Sequence, residues 1–276
     1  MTTNHQVETP EEQLLDCEVI EARELTDDLV LLRLRPPSPL AAGAGQFAML
    51  RLAAGASTDP LLGRPMSILG AGVELQFLIR RLGRGTRILT AAKPGDLVTV
   101  LGPVGKNWGD PEPDRELIMV AGGVGLAPLL FAAEELAARG GPRPTFLYGA
   151  RSASELVLLE RLEQVSTLKT ATDDGSTGHH GLVTELLEGL AAERSELAVW
   201  TCGPEPMMEQ VARIALRAGL PCRVSVEARM ACGRGLCLGC ARPDTQGEPR
   251  YVCKDGPVFP AADLYGTLAE AEVTHG

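Results

Sequence analysis

The chain has 276 residues, 45% of them hydrophobic, and 26 Lys and Arg against 36 Asp and Glu give it a formal net charge of −10. That length holds two domains of ordinary size and a small third element. The negative balance, with no Lys/Arg-rich run to neutralise phosphates, argues against a nucleic-acid partner, and no apolar run approaches the roughly 18–20 residues that span a bilayer.

Residues 1–12 are polar, lack the apolar stretch of a secretory signal, and read as a mobile leader of a cytoplasmic protein. Over 13–110 the pattern is one of short strands, at 14–24, 28–35, 45–52, 73–80 and 96–102, punctuated by Pro and Gly. Leu75, Phe77 and Ile79 alternate with Glu74, Gln76 and Arg80, which predicts a small antiparallel β-barrel. Arg64-Pro65-Met66-Ser67 precedes a strand, and Gly83-Arg84-Gly85-Thr86 precedes a helical stretch. An arginine and a helix-opening Gly-Thr together suit a pair of phosphates. Arg80, Arg81, Arg84 and Arg87 add a locally basic patch that favours an anionic ligand.

Residues 110–116 read as a linker, after which strands alternate with helices through 226. The predicted strands are 116–123, 145–151, 168–174, 197–203 and 222–228. The helices between them cover 126–139, a segment opened by Ser152, then 181–193 and 206–219. Ser152 and Glu155 form the S-x-x-E of a capping box. This alternation predicts a doubly wound parallel sheet, an α/β nucleotide domain over 111–226.

Two turns in that domain carry chemistry. Gly122, Gly123 and Gly125 follow a strand and open a helix, where a pyrophosphate can approach the backbone and meet a helix N-terminus. Pro128 falls in the first helical turn, where its missing N–H is harmless. Cys202-Gly203-Pro204 ends another strand, and ligands of open α/β sheets lie beyond such carboxyl ends. Each turn also has a bland reading, as a ligand-free glycine turn and as a strand end with a core thiol. Asp173, Asp174 and Gly175 end a further strand on that side, while His179 and His180 read as solvent-exposed loop residues and Cys17 and Cys222 as buried thiols.

The strongest signal is the last one. Cys232, Cys237, Cys240 and Cys253 follow a C-x4-C-x2-C pattern with a fourth Cys twelve residues on, the plant-type spacing of a 2Fe–2S cluster. Gly233, Gly235 and Gly239 let the loop curl so that amides point at sulfur. A structural zinc site is the competing reading, weakened by the crowding of three ligands into nine residues. Residues 227–276 are thus expected to form a cluster domain.

Together, an R-P-x-S barrel, a G-x-G-x-x-P nucleotide module with C-G-P, and the run E-x-R-M-A-C-G-x-G-x-C-x-G-C with V-C-K-D-G-P-V-F at 252–259 resemble the ferredoxin-NADP reductase superfamily and its iron–sulfur branch, the electron transfer subunits of class B dihydroorotate dehydrogenase. The resemblance runs from about 14 to 264. It implies FAD on the barrel, held by Arg64, Pro65, Met66, Ser67, Leu78, Ile79, Arg80, Gly85 and Thr86. It implies NAD in the sheet domain along Gly122, Gly123, Gly125, Pro128, Gly203 and Pro204, with Cys202 beside the nicotinamide. It also implies a 2Fe–2S centre on the four cysteines, and an FMN-containing catalytic partner in a heterotetramer of two of each subunit. Met66 stands where many superfamily members have Tyr, which fits the dehydrogenase branch and offers the flavin a softer contact. The implied electron order is dihydroorotate, partner FMN, 2Fe–2S, FAD and NAD. The alternatives are a flavin and iron–sulfur subunit of a ferredoxin:NADP oxidoreductase or sulfhydrogenase, some of which use an Asp among the cluster ligands, and a redox sensor, which would not need a hydride site. NAD against NADP stays open, since Arg151 and Ser152 follow the second strand of the sheet domain.

Overall fold

Strands rich in Leu, Val and Ile that alternate between inward and outward side chains close most economically when the last one pairs with the first. The computed structural model, which describes residues 12–52 and 59–270, shows this for the first third of the chain. Strands β1 (Gln13–Glu24), β2 (Leu29–Arg35), β3 (Phe47–Leu52), β4 (Arg64–Gly70), β5 (Leu75–Arg80) and β6 (Leu97–Val104) form a closed antiparallel barrel in the order β1-β2-β5-β4-β3-β6. Leu75, Phe77 and Ile79 of β5 are fully buried. The Arg-Pro-Met-Ser run expected ahead of a strand lies inside β4, where Met66 pairs with Ala48 and Pro65 with Met49. Proline is tolerated there because these first residues of β4 have no partner on β5, whose pairing starts at Ile68. Helix α1 (Arg84–Thr90) follows the glycine of Gly83. Thr86 reaches back to accept the amides of Leu82 and Gly83, both at 3.1 Å.

The α/β unit contains β7 (Glu116–Gly122), α2 (Leu126–Ala138), β8 (Thr145–Ala150), α3 (Leu159–Val165), β9 (Thr167–Thr172), β10 (His179–His180), α4 (Val183–Glu193), β11 (Leu197–Cys202), α5 (Glu205–Arg217) and β12 (Cys222–Ser225). The tail adds the hairpin β13 (Ala241–Pro243) and β14 (Pro249–Tyr251), the turn of helix α6 (Val252–Asp255), strand β15 (Val258–Pro260) and helix α7 (Ala261–Glu270). The sheet order is β10-β9-β8-β7-β11-β12-β15. The six strands of the α/β unit are parallel and β15 runs antiparallel at the edge, Val224 opposite Phe259. The tail therefore returns to the sheet after the cysteine loop instead of ending beside it.

The helix expected to open at Ser152 does not form there. Ser152 makes no side-chain cap and residues 153–155 make a single 3-10 turn. The helix proper begins at Leu159, after Leu158 in the left-handed region at φ 57°. Glu155 has turned from the cap toward Arg151, 2.7 Å away.

Barrel and sheet share their cores. One apolar cluster joins Leu32, Phe77 and Ile79 of the barrel to Leu129, Phe131 and Trp200 on the α2 face of the sheet. The other joins Phe47 and Met49 to the α4 and α5 face and to Tyr265 of α7. Trp108, on the connector between them, stacks on Trp200 with centroids 5.2 Å apart and planes 7° from parallel, and its indole N–H donates to the Pro128 carbonyl at 3.1 Å.

Candidate functional site

Carboxyl ends of β7 and β11, the outer face of β4 and β5, and the first residues after β12 meet around a cavity of about 200 Å³. Pro65, Met66, Ser67, Leu78, Arg80 and Thr86 line it from the barrel, and Gly125, Cys202, Glu227 and Met230 from the other side. Six of the nine residues expected to hold a flavin thus face one space. Arg64 lies just beyond it: its guanidinium packs on Gly85, where a Cβ would stand 2.5 Å from Nε. Only glycine allows that approach of a cation to the start of α1. Ile79 points into the barrel core, so its backbone alone is available to a ligand. Arg80 has a buried Nε without a hydrogen-bond partner, 3.3 Å from the Asp28 carboxylate.

Three of the four arginines of the basic patch expected around Arg80 are paired, Arg80 itself with Asp28. Arg81 pairs with Glu24 at 2.5 Å and Arg84 with Asp59 at 2.7 Å.

A second cavity, of about 500 Å³, adjoins the first through Arg80 and lies over the carboxyl ends of β7, β8 and β9. Gly122, Gly123 and Pro204 line it, with Arg151, Glu155, Asp173, Thr184 and Gln210. The glycines are sterically required. A Cβ on Gly125 would stand 2.1 Å from the Cys202 carbonyl oxygen, and one on Gly203 would meet Met207 at 2.6 Å and the Gly122 amide at 3.0 Å. The two turns are therefore in backbone contact, with Cys202 and Gly125 lining the smaller cavity and Gly122 and Gly123 the larger. Pro128 lies elsewhere, buried in α2 with its carbonyl engaged by Trp108. Cys202 is 4% exposed, and burial, with the nearby Glu227 charge, pushes its thiol up to about 12, so it stays a neutral packing group.

The cysteine loop leaves the smaller cavity at Met230 and reaches Cys232 two residues later. Gly233 at φ 68° and Gly235 at φ 73° make the curl, and Gly233 is pressed so closely on Met49 of β3 that a Cβ would stand 2.6 Å from its Cγ. Two contacts link the cysteines in twos. Cys240 and Cys253 lie 3.3 Å apart, buried, while the Cys237 amide donates to the Cys232 sulfur at 3.4 Å. Further amides aim at sulfur, Arg234 at Cys232 at 3.4 Å and Gly235 at Cys253 at 3.1 Å. Burial opposes ionisation of Cys232, but the Arg234 and Cys237 amides outweigh it and bring the thiol down to about 6. Among the described residues no three Cys, His, Asp or Glu side chains are arranged around a single metal ion. A loop that curls four cysteines under backbone amides fits a thiolate-held iron–sulfur cluster.

His179 is not a free loop residue: its Nε2 lies 2.7 Å from Glu185. Cys17 and Cys222 are buried, as expected. No helix among the described residues is long and apolar enough to cross a membrane.

Residues 119–213 match the family model described as an oxidoreductase NAD-binding domain, and 227–265 that of the iron–sulfur cluster binding domain of dihydroorotate dehydrogenase B. A curated relative from Methanocaldococcus jannaschii, a probable electron transfer subunit of dihydroorotate dehydrogenase B (NAD+), is 40% identical over 215 residues, 78% of each chain. The chain belongs to the family of dihydroorotate dehydrogenase B electron transfer subunits. The Methanopyrus kandleri member is 37% identical over 255 residues, 92% of each chain, so the likeness runs through barrel, sheet and tail. Among solved structures, an NADH-dependent reduced ferredoxin-NADP oxidoreductase superposes with a TM-score of 0.80 at 26% identity, covering 94% of this chain and 93% of its own. An electron transfer subunit of dihydroorotate dehydrogenase B works with a catalytic partner subunit.

Several residues of the site escaped the sequence reading. Glu227 and Met230 wall the smaller cavity. Glu227 follows the buried run of β12 directly, and that position beyond a strand's carboxyl end was a usable signal. Glu155 had none, because its capping spacing pointed to another role.

Proposed function

We propose that this chain is the electron transfer subunit of a cytoplasmic, NAD-linked dihydroorotate dehydrogenase of pyrimidine biosynthesis, holding FAD and a 2Fe–2S cluster and exchanging electrons with NAD. The observation that carries this reading is the shared wall of the smaller cavity. Met66, Ser67 and Leu78 from the flavin strands, Cys202 from the nicotinamide side, and Glu227 and Met230 from the segment leading to Cys232 all border one space.

Arg64, Gly85 and Thr86 are assigned to the FAD pyrophosphate, with Pro65, Met66, Ser67, Leu78 and Arg80 along the ring system and the Ile79 backbone beside them. Cys232 and Cys237 are assigned to one iron, Cys240 and Cys253 to the other. When bound, the flavin trades electrons in pairs with a nicotinamide and singly with a cluster, which is why it stands between them. The protein's own part is placement. Gly122, Gly123 and Pro204 let the dinucleotide approach the backbone, and Cys202 and Met66 pack as neutral groups that exclude water. The amides of Arg234, Gly235 and Cys237 offset thiolate charge.

Cys237 is exposed between Leu236, 77% exposed, and Leu238, 50% exposed. We assign this apolar rim to the catalytic partner, read as an FMN-containing dihydroorotate dehydrogenase subunit in a heterotetramer of two of each. The solved ferredoxin-NADP oxidoreductase favours a second reading, a subunit serving ferredoxin, and the substrate of the partner separates the two.

The full chain, reconstituted anaerobically with FAD, iron and sulfide, is expected to show flavin absorbance that NADH bleaches and the EPR signal of a reduced 2Fe–2S centre. Cys237→Ser is expected to remove the EPR signal and electron flow to the partner while NADH still bleaches the flavin. A colourless chain that holds zinc overturns the reading, and a partner that reduces NAD with ferredoxin but not with dihydroorotate selects the alternative.

A further inference from the structure

The larger cavity has a charged end that the electron route does not use. Taking it as the nucleotide site, on which this inference rests, its polarity follows from sheet order. The glycine turn at the end of the central β7 receives the pyrophosphate. Cys202 ends β11 on one side of β7 and borders the flavin cavity. A nicotinamide that enters there leaves the adenosine half to run the other way, over β8 and β9. Arg151, Glu155 and Asp173 line that end.

We propose that the Arg151–Glu155 pair, with Asp173 beside it, closes the adenosine end to a 2′-phosphate and so sets the choice of NAD over NADP. A 2′-phosphate calls for a guanidinium free to fork onto it. Arg151 is held instead by the Glu155 carboxylate at 2.7 Å, across the 3-10 turn that replaces the expected cap. The other guanidinium on this cavity, Arg80, stands 3.3 Å from Asp28. Three carboxylates, Glu155, Asp28 and Asp173, act on Arg151. Each guanidinium is thus already matched by a carboxylate, Arg151 by Glu155 and Arg80 by Asp28, and Asp173 adds a further negative charge to the lining. Such a site accepts a hydrogen bond from a ribose 2′-hydroxyl and repels a dianion. Glu155 is the anchored member, 22% exposed against 74% for Arg151. Glu155 is the carboxylate within hydrogen-bond distance of Arg151, so its charge is the one whose loss releases the guanidinium.

The test compares wild type, Glu155→Gln and the double variant Arg151→Ala/Glu155→Gln, as full chains with FAD bound, by the rate at which NADH and NADPH bleach the flavin. Calorimetry with 5′-AMP and 2′,5′-ADP repeats the comparison without redox chemistry. Wild type is expected to prefer NADH. Glu155→Gln is expected to lower the NADH/NADPH ratio of kcat/KM by about tenfold or more and to bind 2′,5′-ADP more tightly, while the double variant loses that gain. A Glu155→Gln ratio equal to that of wild type overturns the assignment alone, and equal gains in both variants overturn the role of Arg151. If neither nucleotide bleaches the wild-type flavin, the oxidoreductase reading falls first and this one with it.

Discussion

Glu205 opens α5 directly after Pro204, yet its carboxylate serves the tail. Arg242, two residues beyond Cys240, donates to both of its oxygens, and the Tyr265 hydroxyl of α7 donates at 2.7 Å, with Arg242 lying 5.1 Å over the tyrosine ring. Burial acts to raise the Glu205 pKa, but the bonds from Arg242 and Tyr265 prevail and hold it below the usual glutamate range. A carboxyl depressed in the folded state contributes stability above its unfolded value of about 4.3 and loses it as pH falls through the lower folded value. Thermal melts of wild type and Glu205→Gln should therefore differ at pH 7 and converge below about pH 4. A difference that stays constant from pH 7 to pH 3 contradicts the linkage. The four cysteines were legible because their spacing is local. The Glu205–Arg242 contact was not, because it joins residues 37 apart through a fold that only the tail's return creates.

The glycine turn and α2 are one device. Gly122 ends β7 extended, Gly123 takes φ 56°, and Gly125 lets α2 start against the end of β11. Gly125→Ala forces a Cβ onto the backbone carbonyl of Cys202, which a rotamer change cannot relieve. The substitution is expected to destabilise the chain by about 3 kcal/mol, seen as a lower urea midpoint, and to weaken NADH binding. A variant with the wild-type midpoint would show that the two turns move apart freely. The start of α2 was legible from strand, glycines and apolar helix in sequence. The start of α3 was not: the S-x-x-E spacing is correct for a cap, but the Glu155 carboxylate pairs with the Arg151 guanidinium, a contact in which both partners are charged, and makes no capping box with Ser152.

Trp108 holds barrel and sheet together. It is 2% exposed, stacks on Trp200, donates to Pro128 and accepts from Arg223, whose guanidinium also lies 5.7 Å over the Trp200 ring. Trp108→Ala should cost about 3–5 kcal/mol, read from denaturant unfolding, and Trp108→Phe should recover much of it by keeping the stack. A loss well under 1 kcal/mol would mean that the shared cores suffice without it. Local patterns determined three things unaided: a barrel from period-two alternation, a parallel sheet from alternating strands and helices, and a thiolate loop from cysteine spacing. Each depends on contacts within a few residues, and so is written in neighbouring positions. Tertiary structure alone decided that the tail adds β15 to the sheet, that Met230 walls the smaller cavity, and that Glu155 lines the larger one. These follow from which surfaces bury against each other, and a long-range packing choice leaves no periodicity in the chain to read.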